Sequence, residues 1–354
     1  MLQITIGLVI CLAAFFAQSN LFAQNDDIDK FNESGAVILK KSIDAISRFI
    51  RVECNMRIST FVDGVEFPAS GKYEEQSVAA TKAPELESDK FGGVEAVDNS
   101  HKNLSSEFQR TMYRQELYFT MDSLSVQTEP NRIILACYPN RNDSKNGNIW
   151  QFRSINGNKT LHQINIDAVE AAIKRAQRNG GGNISGGVGS FGRGNIGAMN
   201  FGQVGMLWNV GGLAGVLGQV DRFYEFAELP KRETVDNKKA YKLVGSMRRA
   251  YFDLLVKNHG GLDKGNRYPS NLPCDIEVYI GVNDFFPYKI RYLNRKTENA
   301  KPVNLLLEIN YENIVINGDP IPEHRFATFQ NEVPAGVSKI ESNTEQYIKS
   351  LGLE

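Results

Sequence analysis

The residues of this sequence that could perform acid–base, nucleophilic or metal chemistry are few and widely spaced. The chain contains four histidines, His101, His162, His259 and His324. None of them belongs to an HExxH motif or to a comparable metal-ligand spacing, so no metal site is predicted. Ser190 lies inside a glycine-rich run, whereas a nucleophile elbow places its serine on a turn between a strand and a helix. The histidines are therefore expected to be exposed or capping residues.

Two further patterns resemble functional motifs but lack the required context. The spacing GxGxxG occurs twice between Gly187 and Gly197, but a dinucleotide site needs a strand before the motif and a helix after it. Here a predicted helix precedes the motif and more glycine follows. The adjacent acids Glu74 and Glu75 should point to opposite faces of one strand, so they cannot act together. We therefore predict no enzyme activity, no cofactor and no nucleotide ligand.

The first 23 residues have the features of an export signal. Residues 1–23 carry no charged side chain, and the stretch from Ile4 to Phe16 is almost continuously apolar. It is shorter than the roughly 20 apolar residues that span a bilayer, and Ala23 precedes a polar run. This predicts a signal peptide cleaved near Ala23 and a periplasmic or secreted protein. An uncleaved anchor is the alternative. Lipidation at Cys11 is rejected, because Ile10 stands where a small residue is needed.

Composition limits the partners and the disulfide chemistry. The formal net charge is −1, whereas a protein that binds nucleic acid needs a basic surface. Residues 24–354 have the length of a single domain and contain three cysteines, Cys54, Cys137 and Cys274. An odd number allows at most one intramolecular disulfide. Cys54 and Cys274 share strand faces with apolar residues, which favours buried thiols, but the disulfide status stays open.

Periodicity predicts mostly strands, with a few helices. Apolar residues alternate from Val52 to Ile58, and the turn Asp63-Gly64 returns the chain as a partner strand to Gln76. Further strands are predicted at 116–126, 132–138, 148–154, 239–248, 275–282, 287–294 and 304–317. Helices are predicted at 32–50, 166–178, 212–226 and 251–257. The polar stretch 77–109 and the run 180–212, with thirteen glycines in thirty-three residues, are predicted to be loops.

These elements predict an α+β fold built on a large, curved antiparallel sheet. One-sided alternation indicates that one face is packed and the other is solvated. A concave sheet covered by only a few helices could leave an apolar cavity of the kind that binds apolar ligands. An ordinary hydrophobic core is the simpler interpretation for most of the apolar residues. The predicted cavity lining is Phe119, Met121, Trp150, Leu213, Leu217, Val278, Ile280, Ile290 and Tyr292.

Three segments carry a family resemblance. They are the hairpin from Phe61 to Tyr73, the stretch from Pro273 to Gly281 followed by Phe285 to Ile290, and the end, Phe326 to Phe329 and then Val333 to Val337. In this order they resemble the strands and turns of LolA-like exported proteins of planctomycetes. The resemblance implies an incomplete β-barrel wrapped around a few helices, as in LolA, LolB and LppX, and an apolar cavity between sheet and helices. The insertions at 77–109 and 180–212 depart from a standard carrier.

The function expected from these observations is the binding of an apolar ligand in the periplasm. The ligand would be a lipid or the acyl chains of a lipoprotein, and the protein would act as a carrier or a sensor. The glycine-rich run could serve as a flap. The alternative is an envelope protein that uses its sheet to contact other envelope proteins, or as a structural module, without transporting a ligand. The long polar insertions favour this second interpretation, because a simple carrier does not need them.

Overall fold

The computed structural model describes the chain in ten stretches. They are residues 33–62, 64–77, 111–119, 131–138, 147–178, 212–258, 272–295, 297, 304–345 and 348. The predicted signal peptide and most of the two predicted loops lie outside these residues, as does Met121.

Thirteen strands form within the described residues. They are β1 (Arg51–Val62), β2 (Val65–Ser77), β3 (Thr111–Phe119), β4 (Asn131–Tyr138), β5 (Asn148–Ile155), β6 (Asn158–Asn165), β7 (Tyr224–Glu225), β8 (Lys231–Val235), β9 (Lys238–Met247), β10 (Asp275–Gly281), β11 (Pro287–Asn294), β12 (Asn304–Ile316) and β13 (Ile340–Ser342). The strand predicted from Glu116 starts earlier, at Thr111. Strands β6, β7, β8 and β13 were not predicted.

Five α-helices accompany the strands in the described stretches. They are α1 (Gly35–Arg48), α2 (Ile166–Arg178), α3 (Gly212–Phe223), α4 (Arg249–Asn258) and α5 (Thr328–Asn331). The first four match the predicted helices to within a few residues at each end, and α5 was not predicted. Within the described residues, no helix is both long enough and apolar enough to cross a membrane.

The strands join into one sheet that does not close on itself. Its order is β13-β6-β5-β4-β3-β2-β1-β12-β11-β10-β9-β7, and β8 pairs with β9 outside this path. Neighbouring strands are antiparallel except for β13, which runs parallel to β6. At Gly71 the strands approach closely, since a Cβ there would lie 1.7 Å from the Glu116 carbonyl oxygen. The predicted fold class, an α+β fold with an open curved antiparallel sheet, is confirmed.

The strand registers define a concave face that α1 and α3 cover. Along one row of this face, Cys54 of β1 lies opposite Tyr73 of β2, and Tyr73 lies opposite Gln115 of β3. Helices α1 and α3 pack against each other. A Cβ on Gly35, at the start of α1, would lie 3.7 Å from the Leu243 side chain of β9. The main apolar layer of the molecule therefore lies between the sheet and these two helices.

The opposite, outer face is covered as well, over strands β4 to β6. Ile134, Trp150, Phe152 and Leu161 are buried there together with Phe329 of α5, and the Phe152 and Phe329 rings lie 5.8 Å apart. The C-terminal segment, residues 321–345, supplies this cover. The expectation of one solvated face is therefore wrong for this half of the sheet, because a second layer buries its outer side.

The cysteines are buried within these layers. Cys54, Cys137 and Cys274 are all free thiols, and each is at most 3% exposed. Cys54 and Cys137 belong to the concave face, while Cys274 packs beside α4 with Phe252 and Val256. Burial raises the pKa of the Cys274 thiol to about 11, which keeps it protonated and unreactive. The prediction that Cys54 and Cys274 are buried is confirmed.

Candidate functional site

Seven of the nine predicted lining residues share the concave side of the molecule. Val278 and Ile290 are cross-strand partners on β10 and β11, and both are fully buried. Leu213 and Leu217 come from α3 and are equally buried. Of the seven, only Phe119 is partly exposed. The seven are Phe119, Leu213, Leu217, Val278, Ile280, Ile290 and Tyr292.

The remaining two residues do not join this group. Trp150 lies on the outer face, where it packs with Ala136 and Phe152 beneath the C-terminal segment. Neighbouring residues of a strand point to opposite sides, so Ile149 and Gln151 take the concave positions instead. Met121 falls outside the described residues.

Tyrosines give the concave layer a polar component. The rings of Tyr224 and Tyr292 meet edge to face at 6.2 Å, and those of Tyr73 and Tyr113 stack at 6.5 Å. Burial raises the pKa of the Tyr224 and Tyr292 hydroxyls above the ordinary value. These side chains therefore stay neutral and present an apolar ring with one hydroxyl, which suits contact with an amphiphilic molecule.

Glu75 is a buried carboxyl group in this layer. Its carboxylate accepts hydrogen bonds from the Tyr73 hydroxyl and from the backbone N–H of Leu213 at 3.0 Å. Burial raises the pKa of Glu75 to about 7, against the two hydrogen bonds, which lower it. Glu75 thus links strand β2 to the first turn of α3, where the positive end of the helix dipole favours a negative charge.

Gly212 permits this close approach of helix and carboxyl group. Its φ angle is +60°, a conformation that residues with a Cβ rarely adopt. A Cβ at this position would lie 2.6 Å from the Glu75 carboxyl carbon. The first residue of α3 must therefore be glycine for the helix to rest on Glu75.

The groups around Glu75 are neutral. Cys54 of β1, Cys137 of β4 and Tyr311 of β12 all have pKa values raised by burial and, to a smaller extent, by the Glu75 charge. No cation of the described residues contributes to the pKa of Glu75. Among the described residues, Glu75 is therefore a buried acid beside neutral side chains, suited to titration near neutral pH.

The sequence analysis missed Glu75, although a signal was present. The Asp63-Gly64 turn fixes the pairing of β1 and β2, with Val62 opposite Val65 and Val52 opposite Glu75. Since Val52 belongs to the apolar set of β1, its partner must face the same packed layer. The prediction that Glu74 and Glu75 point to opposite faces is confirmed: Glu74 pairs with Arg325 on the outer face at 2.8 Å.

A second concavity lies on the outer face and differs in character. It is a groove of about 410 Å³ between β1, β2, β3 and β12. Arg57 pairs with Glu312 across it at 3.3 Å, and the Tyr118 hydroxyl donates to Glu116 at 2.7 Å. Its charged groups satisfy one another, so this groove lacks the character of an apolar ligand site.

In the described part of the chain, no group of three His, Cys, Asp or Glu residues lies close enough together to bind a metal ion. His162 lies on β6, with its Nδ1 3.3 Å from the Glu341 carboxylate of the edge strand β13. Burial lowers the pKa of His162. His324 lies in the 3₁₀ turn Glu323–Arg325, and His101 and His259 lie outside the described residues.

No protein-family model matches the sequence, and no curated protein sequence matches it at a significant level. Solved structures do show similarity. One is the lipoprotein LppX of Mycobacterium tuberculosis, with 9% identity over 81% of this chain and 96% of that chain, and a TM-score of 0.29.

Two further structures are similar to the chain at the same level. A putative outer membrane lipoprotein-sorting protein domain from Vibrio parahaemolyticus has 10% identity over 83% of this chain and 96% of that chain, with a TM-score of 0.29. A LolA superfamily protein from Nitrosomonas europaea has 11% identity over 83% of this chain and 97% of that chain, with a TM-score of 0.24. Scores of this size carry no function across, and the fold class rests on the strand order of the chain itself.

Proposed function

We propose that this protein is exported to the cell envelope and binds an apolar ligand between the concave face and helices α1 and α3. The ligand would be a lipid or the acyl chains of a lipoprotein, and the protein would act as a carrier or a sensor of the LolA-like, planctomycete type. The observation that carries the proposal is the concave face itself. Its inward side chains on β9 to β12 include Leu243, Val278, Ile290, Ile309 and Tyr292, and two helices supply their cover.

Helix α3 is the element best suited to move when a ligand enters. Its interior includes Gly215 and Gly218, and each glycine inside a helix costs about 1 kcal/mol relative to alanine. Helices of this length are marginal on their own in water. The position of α3 therefore depends on the burial of Leu213 and Leu217 and on the Glu75 contact. An acyl chain offers the same kind of apolar surface and could replace the helix against the sheet.

We further propose that the protein is not an enzyme and needs no cofactor. Beside the buried acid Glu75, the thiols of Cys54 and Cys137 have pKa values raised by burial and by the Glu75 charge. A thiol kept protonated by burial is a poor nucleophile. These contacts support a binding role for the layer rather than a chemical one.

Lipid binding is tested with protein purified from its native envelope. Native mass spectrometry and organic extraction should recover a co-purifying lipid, and the delipidated protein should bind a fluorescent fatty acid. Hydrogen exchange should then show a ligand-dependent change for the amides of α3 and little change for those of β10 and β11. Absence of co-purifying lipid together with absence of fatty-acid binding would refute the proposal.

The alternative is an interaction module that contacts other envelope proteins without transporting a ligand. One observation favours it: the hairpin tip carries Val62, Val65 and Phe67 on one face, each about half exposed. Exposed apolar clusters of this kind mark contact sites. A pull-down from envelope extract should recover a partner with the natural protein and lose it with a Val65→Ser, Phe67→Ser double variant. Recovery of lipid without any protein partner would exclude this alternative.

A further inference from the structure

Strand β5 places two polar side chains on the concave face among apolar ones. Gln151 lies opposite Leu135 of β4, and Arg153 lies opposite Ile133. On the other side of β5 their partners are His162 and Thr160 of β6. Because alternate residues of a strand share a face, Gln151 and Arg153 point to the same side as Tyr73 and Glu75.

Both side chains carry buried donors that find no acceptor in the described part of the chain. Gln151 is 1% exposed, and its Nε2 has no hydrogen-bond partner. The buried Nε of Arg153 has none either. Buried donors are almost always paired, and leaving one unpaired is costly. These two residues therefore mark a place where an acceptor from outside the described chain would be stabilised.

Arg153 is a half-buried cation, and no carboxylate among the described residues pairs with it. Burial lowers the pKa of its guanidinium, but arginine keeps its charge in proteins. Glu341, on the edge strand β13 beyond β6, lies 3.3 Å from His162. A guanidinium offers a planar fork of donors that fits a carboxylate or a phosphate.

On the β4 side of β5, the residues beside this donor pair are apolar. Leu117, Ile133 and Leu135 lie on the same face of the neighbouring strands, and each is at most 6% exposed. Helix α3 also contacts strand β3. The guanidinium group suits the anionic head of an amphiphile, and the aliphatic surface beside it suits the chain.

We propose that Arg153 and Gln151 bind the anionic headgroup, a carboxylate or a phosphate, of an amphiphile whose chain lies against Leu117, Ile133 and Leu135. This inference rests on the proposed apolar-ligand function and assigns the ligand a charge. A fatty acid and a phospholipid share this chemistry, and the experiment separates them.

The test measures displacement of a neutral fluorescent probe, N-phenylnaphthylamine, from the delipidated full-length protein. The competitors are oleate, monooleoyl phosphatidic acid and the neutral oleyl alcohol. At least one anion should compete roughly tenfold or more better than the alcohol, as expected for charge-assisted hydrogen bonds. The anion that does so identifies the headgroup class.

Variants connect the preference to the two side chains. Arg153→Gln should bring the preferred anion to the level of the alcohol and leave the alcohol unchanged, while Arg153→Lys should restore part of the preference. Gln151→Leu should weaken the anion alone. The matched control is Arg57→Gln, which removes an exposed cation from the outer face and should change nothing.

Three outcomes would overturn the inference. If the natural protein binds acid and alcohol equally, or if Arg153→Gln weakens both equally, the headgroup assignment is wrong while apolar-ligand binding stands. If neither the probe nor any competitor binds, the proposed function and the headgroup assignment are both wrong. Circular dichroism of each variant establishes that the fold is intact.

Discussion

Replacing Glu75 with glutamine should remove a pH dependence from the stability of this protein. The pKa of Glu75 rises from 4.5 to about 7 in the folded chain because burial disfavours its charged form. A difference of this size corresponds to about 3 kcal/mol. In the unfolded chain the carboxyl group is solvated and titrates at its ordinary value.

The sign follows from proton linkage. Between pH 4.5 and 7 the folded protein holds a proton on Glu75 that the unfolded chain has released. The stabilisation linked to this proton is fully present below pH 4.5 and is lost as the pH rises through 7. We therefore expect the free energy of unfolding to fall by up to about 3 kcal/mol over this range. The neutral amide of Glu75→Gln cannot ionise and should lack this fall.

Urea unfolding followed by circular dichroism at pH 5, 6, 7 and 8 measures the effect. Other groups titrate in this range, including His162 with its lowered pKa, so the informative quantity is the difference between the natural protein and Glu75→Gln at each pH. That difference should shift in favour of the variant as the pH rises. The control Glu66→Gln, on the exposed hairpin tip, should keep the natural pH profile. Equal pH profiles for the natural protein and Glu75→Gln would refute the reasoning.

Two further substitutions test the contacts that hold the cover of each face. Gly212→Ala should lower the free energy of unfolding by about 2 kcal/mol or more, because the φ of this residue is +60° and the new Cβ would meet the Glu75 carboxyl. The control Gly218→Ala, which has open space around it, should stabilise α3 by up to about 1 kcal/mol. Equal effects of the two substitutions in urea unfolding would contradict this prediction. Phe329→Ala should cost about 3–5 kcal/mol, since Phe329 is 4% exposed in the outer-face cluster, while the half-exposed Val333→Ala should stay within about 0.5 kcal/mol. A small Phe329 effect in the same assay would show that the C-terminal segment is not an essential layer.

Turn chemistry explains which strands could be predicted and which were missed. Asp63-Gly64 was recognised as a hairpin turn, and β1 and β2 pair around it as expected. Asn156-Gly157 is an equally clear signal, with both residues at positive φ, as a two-residue hairpin turn requires. This turn joins β5 to β6, so its recognition in the sequence would have predicted strand β6. The turn at Asp236 and Asn237 has the same geometry and joins β8 to β9.

The candidate site was predictable in its aliphatic part only. Val278, Ile280 and Ile290 alternate with charged or aromatic residues, so their shared face follows from the strand period alone. Glu75, Gln151 and Arg153 were missed, because a polar residue in a strand is ordinarily assigned to solvent. Their burial depends on which layer packs on each side of the strand, and this information is not local.

The sequence by itself determined the periods and turns of the chain, because alternation and turn residues act over a few neighbouring positions. It thereby determined that Trp150 and Gln151 lie on opposite faces of β5. Only the tertiary structure decided which of those faces is the concave one. Phe329, far along the chain, buries Trp150 on the outer face, and this leaves Gln151 and Arg153 on the side of the proposed ligand. Contacts between residues so distant in sequence depend on how the layers pack. The alternation of residues within one strand therefore cannot predict them.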